Sequence, residues 1–223
     1  MIAPLHRHDL AFLSPAGQDY AWAHRAAQSG DDALQDFFSR LPGICRVQPP
    51  ELPDSVAALG FSLPIRRQES RWRISTQCPR EEIRRILTPW DIPAYLSALP
   101  SPVGPALTQL AQAAAGCSVP FGVFGSAALQ AVTGLPYLHS HSDLDVVIGA
   151  APVRQINAFY TQLLELSRRF SLHIDGELML SDTCYLKIHE LMQGHKTILA
   201  KGTYQPRLIP CQDVWDTIAA LPQ

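Results

Sequence analysis

The stretch FGVFGSAALQAVTGLPYLHSHSDLDVVI, Phe121 to Ile148, decides how this chain is read. A short apolar run, Phe121 to Phe124, meets Gly125-Ser126, and the helix-prone Ala127 to Val132 follows at once, with Thr133-Gly134 in the position of a C-cap. That order predicts a strand, a tight turn and a helix start. A glycine at such a turn lets the backbone approach a ligand closely, and the free N–H groups of the helix N-terminus face an anion, so Gly125 and Ser126 suit a phosphate. Beyond a loop, Ser142 to Ile148 reads as an Asp-x-Asp at the head of an apolar strand. Alternation places Asp143 and Asp145 on one face, with Cα atoms roughly 6.5 to 7 Å apart, and Leu144 and Val146 on the other. Two carboxylates so placed can share divalent cations.

Composition narrows the function classes. The 223 residues allow one large domain or two small ones, and 47% hydrophobic residues are ample for a buried core. A formal net charge of −2 argues against a nucleic acid polymer as partner. Charge is unevenly placed all the same. Arg66, Arg67, Arg71, Arg73, Arg80, Arg84 and Arg85 crowd one segment, and the three lysines, Lys187, Lys196 and Lys201, lie in another. The five cysteines are odd in number and widely spaced, without a Cys-x-x-Cys, so neither a disulfide framework nor a zinc knuckle is indicated and reduced thiols in a cytoplasm are expected. The start, MIAPLHRHDL, has no apolar core of signal-peptide length, and no run approaches 18 apolar residues, so no membrane partner is expected.

Along the chain, helices are expected around Trp22 to Gln28 and Asp32 to Arg40, and Ala57 to Ile65 reads as an extended segment leading into the arginine-rich RRQESRWR. That charge run reads as a solvated face or a binding surface. Prolines 93, 100, 102 and 105 mark a linker, so a boundary near residue 90 separates an N-terminal module, residues 1–90, from a C-terminal one, residues 91–223. In the second module Ala106 to Ala115 is helical. Val153 to Phe170 carries Ile156, Phe159, Tyr160, Leu163, Leu164 and Ser167 at helical spacing. Ser171 to Leu178 alternates as a strand, Cys184 to Leu191 and Thr197 to Ala200 are strand-like, and Asp213 to Leu221 forms a closing helix. The order predicts an α+β domain with a small mixed sheet, one end of which gathers Gly125, Ser126, Asp143, Asp145 and Asp175.

A Gly-Ser turn at a helix start, an Asp-x-Asp on the next strand and an acid on a later strand together resemble the nucleotidyltransferase superfamily typified by DNA polymerase β, over roughly Phe121 to Leu178. Within it, Gly125-Ser126, Leu129-Gln130, Thr133 to His139 and Ser142 to Asp145 are similar to the phosphoribosyl-dephospho-CoA transferases of the malonate decarboxylase system. In the first module Leu63 to Arg66, Gln68 and Arg71-Trp72 resemble that family's basic segment, without its usual glycines. The resemblance implies a polymerase β-like C-terminal domain and a holo-acyl-carrier-protein synthase. Such an enzyme takes triphosphoribosyl-dephospho-CoA, attaches the phosphoribosyl-dephospho-CoA group to a serine of the malonate decarboxylase acyl carrier protein, and releases pyrophosphate.

The implied roles follow from the chemistry. Attack on the α-phosphorus puts charge on phosphoryl oxygens and leaving group, which two metal ions about 3.5 to 4 Å apart can stabilise. Mg²⁺ or Mn²⁺, which prefer carboxylate and phosphate oxygens, are the expected cofactors. Asp143, Asp145 and Asp175 are the expected metal-binding and catalytic acids, with Asp175 also taking the nucleophile's proton; Glu177 shares its strand parity and stands as the alternative. Gly125, Ser126, Arg67, Arg71 and Lys201 are the expected substrate-binding residues, with Lys187 a further candidate for phosphate charge. Three rival readings use the same residues. His139, His141, Asp143 and Asp145 resemble the histidine run of metallo-β-lactamase-type hydrolases, but the final histidine is missing. A second rival is a nucleotidyltransferase-fold binding module without turnover, which predicts a lost acid, and none is lost. In a third, Asp143 and Asp145 merely cap a loop.

Overall fold

The computed structural model describes residues 4–26, 34–67, 70–140, 142–202 and 206–220. The chain is α+β and divides into two compact units, Met1–Thr88 and Pro89–Gln223.

The first unit is built on a five-stranded antiparallel sheet of β1 (Leu10–Leu13), β2 (Gly43–Cys45), β3 (Val56–Arg67), β4 (Ser70–Pro79) and β5 (Ile83–Leu87), in the order β4-β3-β2-β1-β5. Its long hairpin, β3 and β4, absorbs both the apolar Ala57 to Ile65 and the arginine run, pairing Arg66 with Arg71 and Ser62 with Arg73. Alternation along it buries Leu59, Phe61, Leu63 and Ile74 on one face, each worth about 1.5 to 3 kcal/mol of hydrophobic stabilisation. Helix α1 (Pro15–Ala23) supplies Trp22 and the short α2 (Gln35–Phe38) supplies Phe38, whose ring lies 4.0 Å from that of Phe61. Helix α1 starts earlier than periodicity predicts because Ser14 caps it: the Gly17 N–H donates to Ser14 Oγ at 3.0 Å, and Pro15 occupies the first turn. Most of the expected helix at Asp32 to Arg40 reduces to α2, and residues 27–33 lie outside the described part.

In the second unit, Ile92–Ala98, expected as linker, forms a 3-10 helix that buries Ile92 and Leu96, and Pro102 stands at the start of α3 (Val103–Gly116). The prolines here punctuate packed turns. There follow β6 (Phe121–Val123), α4 (Gly125–Thr133), β7 (Leu144–Gly149), α5 (Val153–Phe170), β8 (Ile174–Ser181), β9 (Cys184–Lys187), α6 (Ile188–Met192), β10 (Thr197–Gly202), β11 (Arg207–Pro210) and α7 (Cys211–Ala219). The sheet runs β11-β10-β9-β8-β7-β6, with β7 and β8 parallel and the other pairs antiparallel, so it is mixed. The parallel pair is joined by α5, the long crossover that parallel strands require.

One face of this sheet is wholly apolar. Leu144, Val146, Ile148, Leu178, Leu186, Ile198 and Ala200 are buried there, and α5 contributes Ile156, Phe159, Leu163 and Leu166. Helix α5 packs against α3 and α7. The expected strand Cys184 to Leu191 stops at Lys187, because Ile188 and Leu191, three apart, are buried as one turn of α6. Ser171 is not a strand residue but the left-handed cap of α5, with φ 52°, and β8 starts three residues later.

Candidate active site

The other face of the sheet carries the charge. Helix α4 opens at Gly125, whose φ of +67° lies in the region that favours glycine. A Cβ there would collide with the Asp145 carboxylate, so that carboxylate lies directly against the Gly125 backbone. The preceding Phe124 N–H donates to the Asp145 carbonyl at 3.0 Å, tying turn and strand together. At its other end α4 closes on Gly134 with φ +72°, as the sequence predicts. Ser126 sits half-buried in the first turn beside this junction.

Parallel pairing of β7 with β8 sets Asp145 opposite Asp175 and Val147 opposite Glu177. Asp145, Asp175 and Glu177 therefore share one face, but not one environment. Asp175 stands beside Asp145 and accepts from Lys187 Nζ at 2.6 Å, while Glu177, only 3% exposed, accepts from Lys201 Nζ at 3.1 Å. Asp143 precedes β7 rather than belonging to it; it is exposed and lies 3.1 Å from Nδ1 of His173. The equal status that alternation gives Asp143 and Asp145 is thus lost at the strand's edge.

Crowded acids perturb one another. The Asp145 carboxyl is pushed up to about 7, first by burial, then by the negative charges of Asp175, Asp143 and Glu177, with Lys187 pulling the other way. Lys187 is held above the usual lysine range chiefly by its hydrogen bond to Asp175. The sequence offers Lys201 as a substrate-binding residue and Lys187 as a further candidate for phosphate charge. Their pairing with particular acids depends on β9 and β10 folding back across the sheet, which residue spacing does not reveal. Below the acids, Phe124, Val147 and Tyr185 form a buried cluster against which Trp90 and Met179 pack.

Gly125, Ser126, Asp143, Asp145, Asp175 and Lys201 are thus gathered in the second unit. Arg71 is a half-buried residue of β4 in the first unit, and Arg67 ends β3 there, its side chain lying outside the described part. His141 of the rival histidine run also lies outside it. Among the described residues no group of three or more His, Cys, Asp or Glu side chains is arranged to hold a metal ion: Asp175 is turned to Lys187 and Asp143 to His173. The donor chemistry still suits a hard divalent cation, because Asp145, whose carboxyl is raised first by burial and then by the neighbouring carboxylates, and Asp175 offer the oxygen ligands such a cation prefers.

Facing carboxylates on adjacent parallel strands lie against a glycine that opens a helix, the arrangement that the resemblance to nucleotidyltransferases leads one to expect. The chain belongs to the phosphoribosyl-dephospho-CoA transferase family. Residues 91–212 match the model described as Phosphoribosyl-dephospho-CoA transferase MdcG C-terminal domain, and residues 6–89 match the corresponding N-terminal domain. A phosphoribosyl-dephospho-CoA transferase of Xanthomonas euvesicatoria pv. vesicatoria is 32% identical over 206 residues, covering 92% of this chain and 93% of the relative. One from Bradyrhizobium diazoefficiens is 27% identical over 201 residues, 89% and 87% of the two chains. No solved structure matches the chain. It is a transferase, and among its described residues no helix is long and apolar enough to cross a membrane.

Proposed function

We propose that this transferase moves the phosphoribosyl-dephospho-CoA group from triphosphoribosyl-dephospho-CoA to a serine of the malonate decarboxylase acyl carrier protein, releasing pyrophosphate. The observation that carries the reading is the register of Asp145 opposite Asp175, with the Asp145 carboxylate against Gly125. The serine oxygen forms a bond to the α-phosphorus, the bond from that phosphorus to the bridging oxygen breaks, and pyrophosphate leaves with the electron pair. Asp175 is proposed to receive the hydroxyl proton, a role supported by the Lys187 Nζ hydrogen bond that orients its carboxylate at 2.6 Å.

The N-terminus of α4, led by Gly125 and Ser126, directs backbone N–H groups at phosphate oxygens. Lys187 and Lys201 bring two positive charges to the same face, where the leaving pyrophosphate develops charge. Asp143, Asp145 and Asp175 would hold Mg²⁺ or Mn²⁺. When bound, such ions supply charge stabilisation for the attacking and leaving oxygens. Arg67 and Arg71 are proposed to bind donor phosphates. All five cysteines are free thiols, which suits the cytoplasm.

Intact mass measurement of the apo carrier protein, after incubation with this chain, magnesium and the triphosphoribosyl donor, tests the proposal. The expected result is a gain equal to one phosphoribosyl-dephospho-CoA group. An unchanged mass alongside tight donor binding would instead mark a binding module without turnover.

A further inference from the structure

The charged face does not end at the acids. Tyr185 pairs with Met179 on one side and with Lys201 on the other, so Lys201, Leu199 and Thr197 of β10 point to the same side as Asp175 and Glu177. Register carries that side onto β11, where Leu199 lies opposite Leu208 and Thr197 opposite Pro210. The intervening Ile198 and Ala200 are buried on the core side, which fixes the alternation. Leu199 is 40% exposed and Leu208 70% exposed.

Four large hydrophobic side chains are exposed among the described residues, and these two are cross-strand neighbours. Scattered exposed leucines need no account, whereas a paired set continuous with a reactive site does. A small molecule is bound in a concavity, and a side chain 70% exposed protrudes, so the pair suits the surface of a macromolecule. The hairpin's own charges are all positive. Of these Lys201 points to the side of Leu199 and Leu208, whereas Arg207 lies opposite the core-side Ala200, and neither strand contains an acid. A partner seated here would be acidic around an apolar centre.

We infer that Leu199 and Leu208, with Lys201 on the same side, are the docking surface for the acceptor protein, engaging an acidic, apolar-centred patch beside the serine that is modified. This rests on the functional reading above. Three strand spacings separate β8 from β11, roughly 15 Å, a span that a short segment of the docked protein covers to present its serine at Asp175. A second copy of this chain on the same surface would bar the acceptor from the face that needs it.

The test is steady-state transfer by the full chain with carrier protein and donor varied separately, comparing wild type, Leu208→Glu, Leu208→Lys and Leu199→Ser with Leu208→Ser. The KM for the carrier protein is expected to rise roughly tenfold or more for Leu208→Glu and for the double variant, and less for Leu208→Lys. The KM for the donor, kcat at saturating carrier protein and the melting temperature are expected to stay at wild-type values. Wild-type transfer with an unchanged carrier KM in every variant overturns the docking surface and leaves the functional reading standing. A raised donor KM, or a wild-type dimer that Leu208→Glu dissociates, overturns it in favour of the donor or of a second copy. No transfer by the wild type overturns the functional reading and this inference together.

Discussion

The two faces of the six-stranded sheet are made by alternate residues of the same strands, and they have opposite physical characters. On β7, Leu144 and Val146 are fully buried while Asp145 between them is pressed against the opening of α4. On β8, Ile174 and Leu178 face the core while Asp175 and Glu177 each hold a lysine. A period of two lets one short segment specify both the packing and the chemistry. Substitutions one residue apart should therefore separate stability from function.

The largest effect is expected on the apolar face. Leu178→Ala removes a fully buried side chain and should cost about 2 to 5 kcal/mol, read as a lower denaturant midpoint, while the folded fraction keeps its transfer rate. A variant that melts like wild type but has lost transfer would break the comparison, because it would place a core residue in the chemistry.

The next effect has the opposite sign. The Asp145 carboxyl titrates near 4 when unfolded and near 7 when folded. The folded state therefore binds the extra proton between those values, and stability falls as pH rises from about 4 to about 7, then levels off. Asp145→Asn removes that loss and should gain about 1 to 3 kcal/mol at pH 8 without metal, and almost nothing at pH 4. Equal melting temperatures of the two proteins at pH 8 would show that the acid is not strained. Asp175→Asn should give no such gain, because it leaves Lys187 without its carboxylate partner.

This contrast shows how much the sequence discloses. The strand, turn and helix at Phe121 to Gly134 were legible because each has a local cause: an apolar run, a glycine with positive φ, and a glycine cap. The apolar stripe of α5 was legible for the same reason. Which acid faces Asp145 was not, because β7 and β8 come together across the whole of α5, and a parallel register leaves no local mark. Lys187 and Lys201 are placed by the same long-range pairing. In the first unit β1 and β2 are four and three residues long, too short to show alternation, so the sequence shows no sign of either strand. The Ser14-Pro15 start of α1 is a local capping signal of the same kind. Strand β11 is four residues, exposed and ended by a proline, and only its pairing with β10 reveals it.

The smallest expected effect lies in the first unit and sharpens the contrast from outside the sheet. If Arg67 and Arg71 attract the donor phosphates, raising salt from 0.1 M to 1 M, which shrinks the Debye length from about 10 Å to about 3 Å, should raise the donor KM a few-fold. Arg67→Ala with Arg71→Ala should do the same at low salt and flatten the salt response. A donor KM indifferent to both would make the arginine run a solvated face.

Single-turnover transfer to the carrier protein, followed by intact mass for wild type, Asp145→Asn and Asp175→Asn, tests the central claim most directly. Each substitution preserves size and removes one carboxylate from the reactive face. The rate is expected to fall at least roughly 100-fold in both, corresponding to about 2.7 kcal/mol of lost transition-state stabilisation, with the folded state retained. A folded Asp145→Asn protein that transfers at near the wild-type rate would contradict the assignment of this face as the catalytic site.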